Sequence, residues 1–126
     1  MSLKTPLGRV LGLGAAGTGV GHWWQQRVTA AALALLGLWF VIALIGLETA
    51  TRAAVVDWIG SPLNAALLAL LVLTAAWHSL LGTQVIVEDY VDGAGKVILL
   101  VLLQFVHVAA AAVGVMAILR VAIGGQ

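Results

Sequence analysis

Three long apolar runs, separated by short polar connections, dominate the pattern of side chains along this chain. They cover residues 28–47, 63–87 and 97–119, and none of them contains Asp, Glu, Lys or Arg. About 20 apolar residues in a helix cross the hydrocarbon core of a bilayer, whereas a membrane strand alternates apolar and polar side chains over about ten residues. Because lipid offers the backbone no hydrogen-bond partners, a spanning segment must satisfy its own. The pattern therefore predicts an all-α membrane protein with three transmembrane helices.

The composition supports a membrane location. Hydrophobic residues make up 63% of the 126 residues and charged residues 9%, whereas a soluble domain is about 45–50% apolar and about 25% charged. A chain this short cannot bury so much apolar surface in its own core, so the excess must face lipid. The net charge of +1, with no basic run, argues against nucleic acid as a partner. The absence of cysteine excludes disulfides and thiolate-held clusters.

The connections between the runs predict how the helices are arranged. Residues 48–62 and 88–96 are short enough to leave consecutive helices adjacent and antiparallel. Ser61 and Pro62 are typical of a helix start, because serine caps the first turn and proline is tolerated there. Gly93 is typical of a turn in the second connection. The sequence thus predicts one membrane domain over residues 1–126.

The basic residues predict the direction of insertion. Cytoplasmic loops of membrane proteins carry an excess of Lys and Arg, and one side here holds four such residues against two on the other: Lys4, Arg9, Arg27 and Lys96 against Arg52 and Arg120. We therefore expect a cytoplasmic N-terminus and an outward C-terminus. Residues 1–21 are rich in glycine and make a poor signal-peptide core, so they are predicted to be a retained, loosely structured cytoplasmic segment.

His78 is the first candidate for chemistry. It lies in the middle of the second run, about ten residues from its loop end. Ionisable groups at such depth are costly and usually face a helix bundle, a partner or a cofactor. Three interpretations are open: a neutral histidine bonded to a neighbouring helix, an axial ligand of haem, or a proton relay. A multi-ligand metal ion is disfavoured, because no carboxylate or thiol lies at this depth.

The helical period places other groups near His78. At about 100° per residue, Gly82 shares its face and Asp89 returns to within about 20° of it. Asp89 would lie about 16–17 Å along the axis, at the membrane surface. Gly82 could admit a flat macrocycle or simply a neighbouring helix. Tyr90 could donate a hydrogen bond to a ligand carbonyl, whereas Glu88 is interpreted as an ordinary boundary residue.

Polar residues before the first run lie on the same predicted side. Arg27 is the last charge before the run. Its guanidinium could simply anchor the helix at the lipid headgroups, or it could hold a propionate, a quinone head group or the carboxylate of Asp89. Trp23 and Trp24 are typical of aromatic anchors at the membrane interface.

Gln104 and His107 are the polar pair of the third run. They are neighbours on one helix face at i and i+3. His107 is predicted at nearly the same depth as His78, so a haem held by both histidines is conceivable. Mutual hydrogen bonding of Gln104 and His107 within a helix contact is the favoured interpretation.

Two stretches of the chain resemble a known family. HSLLGTQVIVEDYV at residues 78–91, preceded by HWWQQRVTA at residues 22–30, is similar to the smaller, D-type membrane anchor subunit of succinate dehydrogenase, respiratory complex II. The likeness covers roughly residues 12–96, and its most specific feature is a histidine followed eleven and twelve residues later by Asp-Tyr. The resemblance implies a bacterial inner-membrane anchor. Such an anchor joins a C-type anchor subunit, an iron–sulfur subunit and a flavoprotein subunit, which together pass electrons from succinate to ubiquinone.

The resemblance also implies roles for particular residues. His78 would ligate the iron of haem b on one axial face, the other ligand coming from the C-type anchor. Tyr90 would donate a hydrogen bond to a ubiquinone carbonyl, with Asp89 beside it in the same site. Arg27 would lie near the quinone and the haem propionates. His22 lies in the region of another family histidine, but one residue closer to Arg27 than the family pattern has it.

Two alternatives remain at this stage. The chain could be a small transporter subunit, which would require an oligomer, although no charged side chain lies within the three runs. It could also be a purely structural anchor that binds no haem. His107 matches no ligand of the family, which favours a structural role for it. The sequence does not distinguish succinate oxidation from fumarate reduction.

Overall fold

The computed structural model describes residues 7, 10 and 19–124. Within residues 19–124 the chain forms four helices and no strand: α1 (Gly19–Ile45), α2 (Arg52–Gly60), α3 (Pro62–Tyr90) and α4 (Gly93–Gly124). Three of them, α1, α3 and α4, are long and apolar enough to cross a membrane. The prediction of an all-α protein with three transmembrane helices is confirmed.

The spanning helices extend beyond the apolar runs that predicted them. The first begins at Gly19, so the end of the segment predicted to be loosely structured is helical. The remainder of that segment, including Lys4 and Arg9, lies outside the described residues apart from residues 7 and 10. At the other end, α1 stops at Ile45, two residues before the end of its apolar run.

A short helix, α2, lies where the sequence predicted only a connection, so that prediction is wrong. Thr51 caps α2, its Oγ1 accepting a hydrogen bond from the backbone N–H of Ala54 at 3.3 Å. The indole of Trp58 stacks on that of Trp39 in α1, with ring centroids 5.9 Å apart. The side chain of Asn64 donates to the carbonyl of Trp58 at 2.8 Å. These contacts hold α2 against both α1 and the start of α3.

The turns at the two ends of α3 agree only in part with the prediction from the sequence. Pro62 occupies the first turn of α3, as predicted. Ser61 does not cap α3 with its side chain; its carbonyl instead accepts from the N–H of Ala65 at 2.9 Å. Residues 91–92 alone separate α3 from α4, and Gly93 has φ of +67°, a conformation that favours glycine.

The central helix of the bundle is α3, which packs against both other spanning helices. Ser79 of α3 meets His107 of α4, and Val72, seven residues earlier, meets Gly114, seven residues later. These pairings show that α3 and α4 run antiparallel. Between residues 19 and 124, no Cα atoms of α1 and α4 lie within 8 Å of each other. The bundle is therefore an open layer of three helices.

Few side chains are fully buried in this arrangement. Within the described part of the chain the buried core comprises Leu80, Leu81 and Ile118. Large apolar side chains are exposed along all three spanning helices. A single open layer cannot cover them, so their partners must be lipid or other proteins.

Candidate functional site

A stripe of polar side chains runs along α1 on the face that meets α3. His22, Gln26 and Thr29 follow one another at i, i+4 and i+7, a spacing that puts side chains on one helix face. All three are half-buried, whereas Arg27 beside them is exposed. The stripe leads from the N-terminal end of α1 toward the middle of the bundle.

The inner end of the stripe reaches His78 of α3. Its Nδ1 lies 2.9 Å from the hydroxyl oxygen of Thr29. The Thr29 hydroxyl also lies 2.8 Å from the carbonyl oxygen of Gln25 and 3.2 Å from that of Gln26. On the other side of the ring, Nε2 of His78 is 3.4 Å from the amide nitrogen of Gln26, at the long end of hydrogen-bond distances. His78 is thus held firmly through Nδ1 and only weakly through Nε2.

A cleft of about 610 Å³ opens between α1 and α3, nearer to the N-terminal end of α1 than the contacts of His78. Its walls are Gly19, His22, Trp23, Gln26, Gly82, Val85 and Glu88. Two of its buried polar atoms, His22 Nε2 and Gln26 Oε1, have no hydrogen-bond partner among the residues that the structure describes. Buried polar groups in native proteins are nearly always paired, so these atoms indicate a ligand, a water or a further subunit in the cleft.

Gly82 and the acidic end of α3 complete the walls of the cleft. A Cβ atom on Gly82 would lie 3.7 Å from the amide nitrogen of Gln26, which is an ordinary contact. An alanine at position 82 would therefore fit beside the Gln26 amide without a clash, so the contact does not require glycine. Glu88, interpreted from sequence as a boundary residue, lines the cleft, whereas Asp89 is exposed outside it.

The three residues predicted to contact a quinone lie at the same end of the bundle, but their side chains are not hydrogen-bonded to one another. Arg27 holds its guanidinium carbon 5.7 Å from the ring centroid of Trp23, a cation–π contact. Asp89 is exposed, and Tyr90 is 84% exposed. In the region from residue 19 to 124, no hydrogen bond joins these side chains to each other. A ligand or a partner subunit would have to bring them together.

On the opposite side of α3, both ring nitrogens of His107 are within hydrogen-bond distance of a partner. Its Nδ1 lies 2.7 Å from the carbonyl oxygen of Leu103, and its Nε2 lies 3.1 Å from the hydroxyl of Ser79. The expected partner, Gln104, is exposed, so the predicted pairing of Gln104 with His107 is wrong. His78 and His107 bind different neighbouring helices, and the structure does not bring them together.

A larger cleft, about 1060 Å³, opens at the other end of the bundle between α2 and α4. Arg52, Asp57 and Arg120 line it, and none of the predicted site residues does. The described residues contain no group of three or more His, Cys, Asp or Glu side chains that could hold a metal ion.

Three residues of these contacts were not predicted from the sequence: Gln26, Thr29 and Ser79. His22, Gln26 and Thr29 are spaced at i, i+4 and i+7, and that spacing on one helix face is a signal the sequence carries. Ser79 carries no such signal, because its partner His107 lies 28 positions away.

These features define a class: a multi-pass membrane protein with three spanning helices and a polar cleft at one end. Residues 1–118 match the family described as succinate dehydrogenase/fumarate reductase transmembrane subunit. The chain belongs to this family, and it is a multi-pass protein of the bacterial inner membrane.

Two named relatives are similar to this chain, one over nearly its whole length and one over part of it. The succinate dehydrogenase hydrophobic membrane anchor subunit of Paracoccus denitrificans is 28% identical over 124 residues, covering 98% of this chain and 96% of the relative. The subunit of the same name from Rickettsia bellii is 33% identical over 79 residues. That match spans 63% of each of the two proteins. No solved structure matches the chain.

Proposed function

We propose that this chain is the D-type anchor subunit of a succinate:ubiquinone oxidoreductase and contributes one axial ligand to haem b and part of the ubiquinone-reduction site. The observation that carries the proposal is the position of His78. Its Nδ1 is hydrogen-bonded to α1, while its Nε2 has only a 3.4 Å contact to Gln26 beside a polar cleft. Family membership supports the redox context.

His78 and Arg27 are the residues of this chain that would hold a haem. A ligand histidine binds iron through one ring nitrogen while the other donates a hydrogen bond that orients the ring. His78 would supply Nε2 in this way, and Arg27, at the same end of the bundle as the cleft, would pair with a propionate. When bound, haem supplies a one-electron carrier beside the quinone site. The resemblance to the family implies that the second ligand comes from the C-type anchor subunit, and the contact of His107 with Ser79 agrees with a structural role for that histidine.

The proposed quinone site lies at the same end of the bundle as the cleft. Tyr90 would donate its phenolic hydrogen to a quinone carbonyl, and Asp89 and Arg27 would set the charge and the proton supply around it. Their exposure in this chain leaves them free for a ligand held between subunits. With a cytoplasmic N-terminus, this end would face the iron–sulfur subunit, which together with the flavoprotein subunit delivers electrons from succinate.

The haem assignment is tested on the complex purified in mild detergent through a tag on this chain. The C-type anchor, iron–sulfur and flavoprotein subunits should co-purify, and the dithionite-reduced complex should show the Soret and α bands of a b-type haem. His78→Ala should remove those bands, whereas the matched variant His107→Ala should keep them. An intact complex without a haem spectrum would leave a haem-free anchor as the function.

The quinone assignment is tested with Tyr90→Phe, which removes one hydroxyl from an exposed residue. We expect quinone reduction to fall at least tenfold, because a hydrogen bond to the reacting carbonyl is lost and about 1.4 kcal/mol is a factor of ten. Succinate oxidation with a soluble dye should stay at the parent rate. Equal quinone reductase activity in variant and parent would exclude this role for Tyr90.

A further inference from the structure

The Thr29 hydroxyl has one hydrogen and several neighbours that could accept it. Two are backbone carbonyl oxygens of its own helix, on Gln25 at 2.8 Å and on Gln26 at 3.2 Å. A threonine hydroxyl within a helix commonly donates to the carbonyl three or four residues back. With its hydrogen used in this way, the oxygen meets His78 Nδ1 only as an acceptor. The 2.9 Å contact then requires the ring hydrogen to be on Nδ1.

The contact on the other side of the ring is consistent with the same tautomer. The amide nitrogen of Gln26 faces His78 Nε2 at 3.4 Å, and an amide nitrogen can only donate, which agrees with a lone pair on Nε2. This contact is longer and weaker than the 2.9 Å contact on the other side, so the Thr29 hydroxyl is the neighbour that assigns the hydrogen to Nδ1.

We propose that Thr29 is a positioning residue that holds His78 in the Nδ1–H tautomer and so leaves the Nε2 lone pair on the Gln26 side of the ring, where only a long 3.4 Å contact meets it. Neutral histidine in water divides between two tautomers, and the hydrogen bond made by one nitrogen decides which nitrogen is free to bind iron. The inference deepens the proposed function, because the iron-binding consequence depends on haem being bound there. The tautomer itself is a property of this chain alone.

The chain offers a matched control for Thr29. Thr83 of α3 makes the same two intrahelical bonds, to the carbonyl oxygens of Ser79 at 2.8 Å and Leu80 at 3.1 Å. Unlike Thr29, it makes no hydrogen bond to a histidine in the described part of the chain. Thr29→Val and Thr83→Val thus remove equivalent hydroxyls at equal volume, and only the first removes the acceptor for Nδ1. Thr29→Ser keeps that acceptor.

The first test reads the tautomer without haem. The full chain, labelled with ¹⁵N-histidine and placed in lipid bilayers, is examined by solid-state NMR, with the His78 signals identified by their loss in His78→Ala. We expect His78 to show a protonated Nδ1 and an unprotonated Nε2 in the parent, in Thr29→Ser and in Thr83→Val. Thr29→Val should give a mixture of tautomers or the opposite one. An Nε2–H signal in the parent would overturn the proposal.

The second test reads the haem in the purified complex. A hydrogen bond donated by Nδ1 makes the imidazole a stronger ligand and stabilises ferric iron. Thr29→Val should therefore raise the haem midpoint potential or lower haem content, Thr29→Ser should restore both, and Thr83→Val should match the parent. If haem is present and lost in His78→Ala but Thr29→Val matches the parent in both tests, the inference fails while the proposed function stands. If the parent complex has no haem, the proposed cofactor fails and the NMR result alone decides the role of Thr29.

Discussion

The close approach of Gly114 to Val72 gives a sharp test of the packing of α3 against α4. A Cβ atom on Gly114 would lie 2.8 Å from one methyl carbon of Val72 and 3.7 Å from the other. Side-chain atoms do not approach so closely. Valine is branched at Cβ and has one strongly preferred rotamer in a helix, so it cannot readily turn aside. Gly114→Ala must therefore push the two helices apart locally or force Val72 out of its rotamer.

The expected cost follows from two opposing effects. Overpacking a close contact by one methyl group destabilises by about 1–3 kcal/mol. Replacing glycine by alanine inside a helix offsets up to about 1 kcal/mol of this. Gly37→Ala in α1 isolates the second effect, because no atom lies within 4 Å of a Cβ built there. The free energy of unfolding should therefore be about 1–3 kcal/mol lower for Gly114→Ala than for Gly37→Ala.

The measurement is denaturant-induced unfolding of the full chain in detergent micelles, followed by circular dichroism. Val72→Ala in the Gly114→Ala background should recover most of the loss, because it removes both methyl groups that the new Cβ meets. Equal stability of the two alanine variants would refute the reasoning. It would mean that the helices separate without cost and that Gly114 does not fix their distance.

Three further substitutions test other contacts in the same unfolding assay. Ser79→Ala should cost about 1 kcal/mol, because it removes the hydroxyl bonded to His107, and it should leave the haem spectrum of the complex unchanged. Trp58→Ala should cost at least about 0.5–1.5 kcal/mol through the lost stack on Trp39, and the near-ultraviolet circular dichroism of the stacked rings should weaken. Gln26→Leu should stabilise the chain without haem by about 1 kcal/mol, because the buried Oε1 has no partner; a lower stability would show that the amide is satisfied.

The spanning helices could be predicted because one physical requirement dominates each of them. A run of about 20 apolar residues in lipid has no stable alternative to a helix. The same argument says little about where such a helix ends in the interface, where water can satisfy the backbone. The ends at Gly19 and Tyr90 therefore lie outside the apolar runs that predicted the helices.

The short helix α2 was missed for a related reason. Arg52 and Asp57 interrupt its apolar residues, and nine residues are too few for a convincing periodic pattern. Its position depends on contacts with residues distant in the chain, such as the stack of Trp58 on Trp39 and the packing of α2 against α4. Such contacts are tertiary and cannot be read from the local pattern.

For the candidate site, the sequence predicts where along its helix each residue lies but not which residue it contacts. The depth of His78 and the placement of Arg27, Asp89 and Tyr90 at one end follow from sequence position along two helices. The partner of each polar group does not, because it depends on the rotation and register of neighbouring helices. His107 bonds to Ser79 and not to its helical neighbour Gln104 for this reason.

Two adjacent residues of the central helix α3 belong to different contacts: His78 to the proposed redox site and Ser79 to the packing against α4. His78 bonds to α1 and Ser79 bonds to α4, since successive helical residues point about 100° apart. His78 and Ser79 share no hydrogen-bond partner, so replacing the side chain of one removes no bond made by the other. Changes on the α4 side, at Ser79 or Gly114, should therefore alter the stability of the bundle without altering the ligand state of His78. Changes at Thr29 act on the imidazole directly. An altered haem spectrum in Ser79→Ala would show that the two sides of α3 are coupled and that the scaffold itself tunes the site.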